Sequence, residues 1–302
     1  MAVIETIIPI FIIILFGLLI QKKGFLTTLF IQEANKFIFI ISLPFLIFTG
    51  IVKANITDVA LCPILCVILP TIMMIALSLF LGFVTGLKKG RLGSFVQTTF
   101  HGNVSYIGLA VLFYLLGEEG FKRGSILVGF LILVNNIMAI VIISWASQKH
   151  ESTVKALLSI IKTPVIIATF LGLLVLYINL QIPQVLFKSM VIIANIALPM
   201  ALIIIGASMS FSGLKSALRF SLLVSFLKLL VLPFFSLVLC KIFSISPKDG
   251  LPGVLLLATP TAVTSYVLAH ELGGDKDLAS SAVTLSTLLA PLTYIFWVSV
   301  IR

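Results

Sequence analysis

Long apolar runs separated by short polar breaks set the plan of this chain. A bilayer core of about 30 Å takes about 20 apolar residues as a helix. On that measure the runs predict ten spans, roughly 3–21, 31–52, 59–86, 92–117, 124–147, 163–180, 185–211, 214–242, 248–271 and 278–301. The pattern therefore predicts an all-α polytopic membrane protein. Two spans are interrupted midway. The fourth contains Phe100-His-Gly-Asn-Val-Ser-Tyr-Ile-Gly108, and the ninth contains Leu257-Ala-Thr-Pro-Thr-Ala-Val-Thr-Ser265. Both stretches put small, polar and helix-breaking residues at a depth where an unpaired backbone group costs several kcal/mol, roughly. Broken backbone there must be buried in protein or line a cavity.

The interruptions are related. Gly17-Leu-Leu19 and Leu43-Pro44 recur as Gly172-Leu-Leu174 and Leu198-Pro199, at an offset of 155. Leu116-Gly117 matches Leu272-Gly273 at an offset of 156, and the two broken stretches fall in nearly the same register. The longest connection, about 148–162, divides the chain into a first repeat at 1–147 and a second at 163–302. Each half holds five spans. An odd number makes the second half enter the membrane from the opposite side, so the expected architecture is a pair of inverted five-helix repeats. Matched broken helices in two such halves point to a transporter's substrate site.

Composition agrees: 60% of residues are hydrophobic and 10% charged, against about 25% charged in a soluble domain. No polar stretch is long enough for a separate soluble domain. The basic excess lies in short loops, where it sets topology rather than suggesting nucleic acid. Of the 20 Lys and Arg, twelve flank the odd-numbered connections and seven the opposite side. That asymmetry predicts cytoplasmic odd loops with both termini outside, in a bacterial inner (plasma) membrane. The chain start lacks a basic region and a cleavage site, so the first run reads as a true span. Cys62, Cys66 and Cys240 all fall in apolar runs. Cys62 and Cys66 share a helix face with no His or carboxylate beside them, which predicts packing rather than a metal site.

The candidate chemistry lies at the breaks. Gly102 and Asn103 interrupt the fourth span, with Asn103 placed to cap the half-helix that follows; Pro260 removes a donor in the ninth, with Thr259 or Thr261 placed to cap the next half. The two following half-helices bring unpaired N–H groups and roughly +0.5 elementary charge each. Such a meeting suits an anion, most simply a carboxylate. Ser105, Tyr106, Thr264 and Ser265 add hydroxyls, each of which can also simply bond its own helix. Lys228 lies near the middle of the eighth span, where a lysine marks a partner or cavity unless it snorkels, and it is expected to help bind the substrate anion. The carboxylates stand in loops or near span ends, which weakens a proton-relay reading. A sodium site made of carbonyls with Asn35, Asn135, Asn136 or Asn195 stays open. His101 borders the break and reads as a packing histidine; His270 reads as interfacial. No metal site, other cofactor, nucleophile–base pair or HExxH motif is found.

At these residues the chain resembles the auxin efflux carrier family. Asn103-Val-Ser-Tyr-Ile-Gly108 is similar to that family's Asn-x4-Gly motif in the fourth span. Ala258-Thr-Pro260 and Val267-Leu-Ala-His-Glu271 resemble its ninth span, and Lys228 with Pro233 its eighth. Ser105 and Ala110 depart from it, standing where many members have glycine and proline. The resemblance implies the fold of the bile-acid sodium symporters. Spans 1, 2, 6 and 7 would form a scaffold, often homodimeric, and spans 3–5 and 8–10 a core in which broken spans 4 and 9 cross. It implies an elevator-type carrier of small organic anions such as malonate, malate or auxin-like acids. Two other readings stay open: a sodium-coupled organic-anion symporter, and a ligand-binding membrane sensor. The partners expected are the bilayer, a small organic anion and a second copy of the chain. An enzyme is not expected.

Overall fold

Helices that are apolar on every face need lipid around them, and the first helix is of this kind. In α1 (Ala2–Lys22) the buried Ile7, Ile10 and Ile14 alternate with Ile12, Phe16 and Leu19, which are exposed yet equally apolar. The structure is a computed structural model that describes residues 2–55, 60–148, 157–158, 160, 162–211 and 214–301. Among these, seven helices are long and apolar enough to cross a membrane. The predicted connection at 148–162, with Lys149 and Lys155, lies largely outside the described residues.

The chain continues through α2 (Thr28–Val52), α3 (Leu61–Val84), α4 (Lys89–Phe100) and α5 (Leu109–Ser147). The second half comprises α6 (Pro164–Tyr177), α7 (Gln184–Ala207) and α8, which joins Leu214–Phe226 to Leu232–Ile242 through a wide turn. It ends with α9 (Pro247–Leu257), α10 (Thr264–Leu272) and α11 (Lys276–Ile301). No strand occurs among the described residues; a single antiparallel bridge joins Gly102 to Thr261.

The residues that repeat in the sequence do matching work. Gly17 lets the Ile203 carbonyl of α7 reach the α1 backbone, and Gly172 of α6 sits against Ile51 of α2. Pro44 follows a π turn at Ile38–Ser42 in α2, and Pro199 follows a turn at Asn195–Ile196 in α7. Gly117 and Gly273 both have positive φ, 66° and 79°, and each ends a helical stretch. A Cβ would be strained in that left-handed region. The α5 helix is consequently bent away from itself at Gly117.

Internal prolines leave carbonyls without a helical donor, because a proline has no N–H to give to the residue four earlier. Side chains from other helices fill several of these gaps. Pro70 frees the Cys66 carbonyl, which accepts from Ser236 Oγ of α8 at 2.7 Å. Pro233 frees the Leu229 carbonyl, which accepts from Trp297 Nε1 of α11 at 2.8 Å. Pro252 frees the Lys248 carbonyl, which accepts from Arg123 Nη1 at 3.3 Å. The irregular helices are thus stitched together by the bonds their prolines displace. Cys66 itself is buried and lies beside Cys240 of α8, whereas Cys62 is exposed, so the two cysteines expected on one face have different surroundings.

Removing one of these donors strands a buried carbonyl. Ser236→Ala is expected to destabilise the protein by about 1–3 kcal/mol, read as a lower melting temperature in detergent. Adding Pro70→Ala, which restores the helical donor, recovers much of that loss. If the double variant is no more stable than Ser236→Ala, the Cys66 carbonyl is not what Ser236 serves.

Candidate functional site

The two broken stretches meet and hold one another. Helix α4 stops at Phe100, and His101, Gly102 and Asn103 run extended before a π turn at Val104–Gly108 leads into α5. Helix α9 stops at Leu257, and 258–263 run without a helical ladder until α10 begins. The Asn103 N–H donates to the Pro260 carbonyl at 2.8 Å, and the Ala262 N–H donates to the His101 carbonyl at 2.9 Å. Side chains complete the bonding. Thr261 Oγ1 donates to the Thr98 carbonyl at 2.9 Å, and the Thr261 N–H donates to Ser286 Oγ of α11 at 3.0 Å. Thr259 Oγ1 donates to the Leu256 carbonyl, which Pro260 has deprived of its helical donor, at 2.7 Å. Non-helical backbone at this depth is tolerated because each broken strand supplies the other's partners.

Glycine is required where the stretches touch. A Cβ at Gly102 would strike the Thr259 hydroxyl and stand 3.0 Å from Lys228 Nζ. A Cβ at Gly108 would stand 2.8 Å from Leu256 Cδ2. The Gly108 N–H also donates to the Asn103 carbonyl at 3.0 Å, which closes the π turn. The Asn-x4-Gly spacing is thereby given a physical meaning: the asparagine's carbonyl and the glycine's N–H bound one wide turn, and the bare glycine face admits α9.

The predicted site residues gather here, with different surroundings. Asn103 is 6% exposed, Ser105 is half-buried, and Thr259, Pro260, Thr261 and Ser265 are buried. Thr264 is exposed. Tyr106 is buried, and its hydroxyl donates to Asn35 Oδ1 of α2 at 3.0 Å. Ser265 Oγ is buried without a partner. The capping roles expected from the sequence are not those seen. Asn103 stands at the start of the π turn, but its side chain makes no capping bond, and the residue preceding α10 is Val263, which has no capping side chain. Thr259 and Thr261 instead spend their hydroxyls on carbonyls of the preceding helix and of α4. No side chain therefore caps either N-terminal turn at the crossing, although in α10 the Ser265 and Tyr266 N–H groups donate to the Ala262 and Val263 carbonyls.

Lys228 lies in the π turn of α8 and is fully buried. Its Nζ donates to the Leu257 carbonyl at 2.6 Å, at the carboxyl end of α9. His101 is also buried, with Nδ1 2.9 Å from Gln97 Nε2. His270 is exposed, in keeping with an interfacial position. The sequence did not single out Gln97, Thr98 or Ser286, which hold the crossing from neighbouring turns. They are ordinary polar residues in helices, and only tertiary structure shows what they face.

A cleft of about 350 Å³ opens beside the first turn of α10. Ser208 and Ser210 at the end of α7, Val263 and Tyr266, and Lys276, Asp277 and Thr284 of α11 are among its walls, so one cation and one carboxylate face it. Ion pairs stand at either extremity of this half of the molecule, Arg91 with Asp275 at 3.5 Å and Arg123 with Asp249. Among the described residues no group of three or more His, Cys, Asp or Glu could hold a metal ion.

Comparison with known proteins places the chain among membrane transport proteins. Residues 2–298 match the family model described as membrane transport protein. A protein of Methanothermobacter thermautotrophicus described as an uncharacterized transporter is 23% identical over 297 residues, covering 97% of this chain and 96% of its own length. Another uncharacterized transporter, from Methanocaldococcus jannaschii, is 23% identical over 307 residues, covering 97% of each chain.

The tight contact at Gly102 is open to a direct check. Gly102→Ala is expected to destabilise the protein by about 1–3 kcal/mol through overpacking, seen as a lower melting temperature. An unchanged melting temperature would mean that Thr259 and Lys228 do not pack against this glycine.

Proposed function

The chain belongs to the membrane transport protein family, the auxin efflux carriers its motifs resemble, and from that premise we propose that it is a secondary carrier of small carboxylates. The observation that carries the carboxylate reading is the crossing. Two uncapped N-terminal turns, at Asn103–Val104 and Val263–Thr264, begin where the broken stretches bind each other. Their N–H groups and dipoles favour negative charge. Among the described residues no acidic side chain belongs to the two broken stretches, and the carboxylate nearest the proposed entry is Asp277 at the cleft. A cation would meet repulsion from the dipoles, and a neutral solute would gain little.

In this reading the substrate sits against Asn103, Ser105, Thr264 and the 259–261 stretch, with Tyr106 and Ser265 shaping the wall. The cleft beside α10 is its way in from one side. The architecture we propose is ten spans in two inverted five-helix repeats, 1–147 and 163–302, joined by a cytoplasmic linker at 148–162. The matching duties of Gly17 and Gly172, Pro44 and Pro199, and Gly117 and Gly273 support it. Spans 1, 2, 6 and 7 serve as a scaffold in a homodimer, and spans 3–5 and 8–10 move against it as an elevator. Both termini lie outside the plasma membrane.

Purified protein in liposomes should take up a labelled dicarboxylate. Asn103→Ala should lower that uptake roughly tenfold or more, on the scale of losing a hydrogen bond to a charged group, while keeping its melting temperature. Full uptake by a folded Asn103→Ala protein would remove the site from this position. Tight binding of an organic cation with no response to any carboxylate would overturn the anion reading. The homodimer predicts twice the monomer mass by light scattering in detergent and a matching cross-link in membranes; a monomer in both would refute it.

A further inference from the structure

Broken helices present two kinds of end. Their N-termini suit anions, while their carboxyl ends and unwound carbonyls are where transporters hold a coupling cation. Here α4 and α9 bring their carboxyl ends, Phe100 and Leu257, into the same crossing as the two N-terminal turns. Those ends carry roughly −0.5 elementary charge each. If nothing met them, they would cancel the positive field that an anion needs.

Lys228 meets them. It is fully buried, and its ammonium donates at 2.6 Å to the carbonyl of Leu257, the last residue of α9. The same ammonium lies against Gly102, two residues past the end of α4, where any Cβ would come within 3.0 Å of Nζ. The π turn at Leu227–Val231, with Pro233 behind it, sets the lysine at this depth, and Trp297 satisfies the carbonyl that Pro233 leaves bare. Among the described residues, Lys228 has no carboxylate partner within ion-pair distance. The nearby titratable side chain is His101, buried and tied to Gln97. Lys228 is thus a buried lysine whose acceptor is a helix-end carbonyl, with no acidic partner among the described residues.

We propose that the Lys228 ammonium is a resident cation of the crossing, taking the place that sodium would occupy at the carboxyl ends of α4 and α9. It is a positioning residue: it neutralises those ends and holds Leu257 and Gly102 in place, and the substrate anion is left to the N-terminal turns. The lysine moves with the crossing and is never released, so the carrier does not need sodium at this place. This inference deepens the carboxylate-carrier reading and rests on it for its transport consequence. Its structural part, a cation site made vacant by removing the ammonium, is independent of the substrate.

The test is Lys228→Met, which keeps the length of the side chain and removes its charge. In choline chloride the variant should melt roughly 5 °C below the wild type, a shift within the range of one lost buried interaction. Sodium or ammonium chloride at tens of millimolar should restore a large part of that loss, by mass action on the emptied site. The wild type should melt at the same temperature in sodium and choline chloride, and its carboxylate uptake should be the same in both. Lys228→Arg, which keeps the charge, should show no cation response and guards against a Met variant that fails to fold. A wild type whose uptake or melting temperature depends on sodium would overturn the proposal. So would a Lys228→Met protein that is as stable as wild type, or one whose loss no monovalent cation repairs. If uptake of every carboxylate fails while the cation rescue succeeds, the carrier reading falls and the resident cation stands.

Discussion

Backbone polarity inside a hydrocarbon layer is the constraint on which this structure depends. Each N–H and carbonyl in lipid must find a partner in the protein. A plain helix meets that demand alone, but this chain interrupts its helices repeatedly with proline, glycine and asparagine. Each interruption then becomes a demand on a second element. The Cys66 carbonyl calls on Ser236, the Leu229 carbonyl on Trp297, the Lys248 carbonyl on Arg123, and the Leu257 carbonyl on Lys228. At the crossing the demand is mutual, and two broken stretches satisfy each other through Asn103 with Pro260 and Ala262 with His101. Irregularity in one helix is therefore what fixes the place of the next.

The same bonding arranges charge. Four helix ends converge at the crossing, two of each polarity, and by themselves they would nearly cancel. The side-chain bonds are unequal in their effect. Thr261 and Lys228 are directed at carbonyls, while Asn103 and Val263 leave the N-terminal turns uncapped. In the proposed reading, hydroxyls and an ammonium quiet the negative ends, and the positive ends remain for a ligand.

The large features were legible in the sequence because hydropathy and helix breakers are local signals. The interruptions at 100–108 and 257–265 stood out since each violates the composition of its own run. The glycines at 117 and 273 stood out as a pair because Leu-Gly recurs there in nearly the register of the other repeats, and both have positive φ in the structure. Lys228 was conspicuous at its depth, but what it touches was not: its acceptor is a main-chain carbonyl, which carries no residue signature. Thr259 and Thr261, expected to cap, spend their hydroxyls on carbonyls instead, and the Asn103 side chain makes no capping bond. Thr261 reaches Thr98, more than 160 residues away, and nothing in either local stretch specifies the other. Sequence marks where a backbone is broken; the partner that repairs it belongs to the fold.

The distribution of these repairs bears on how the proposed elevator could move. The bonds across the crossing and between α3, α8 and α11 are buried, so parting them would expose bare carbonyls to a dry interior. The described polar links from that group to the proposed scaffold are of another kind. Lys53 to Glu118 is exposed, and Tyr106 to Asn35 and Thr284 to Ser210 are only part-buried. Water can replace such bonds at small net cost. Within the scaffold, by contrast, α1 and α7 approach backbone to backbone at Gly17 and Gly206, a contact that side chains cannot follow if it slides. The polar bonds are thus buried within the proposed core and more exposed between it and the proposed scaffold, while Gly50 against Ser125 and Gly129 against Thr169 are close steric contacts across the same boundary.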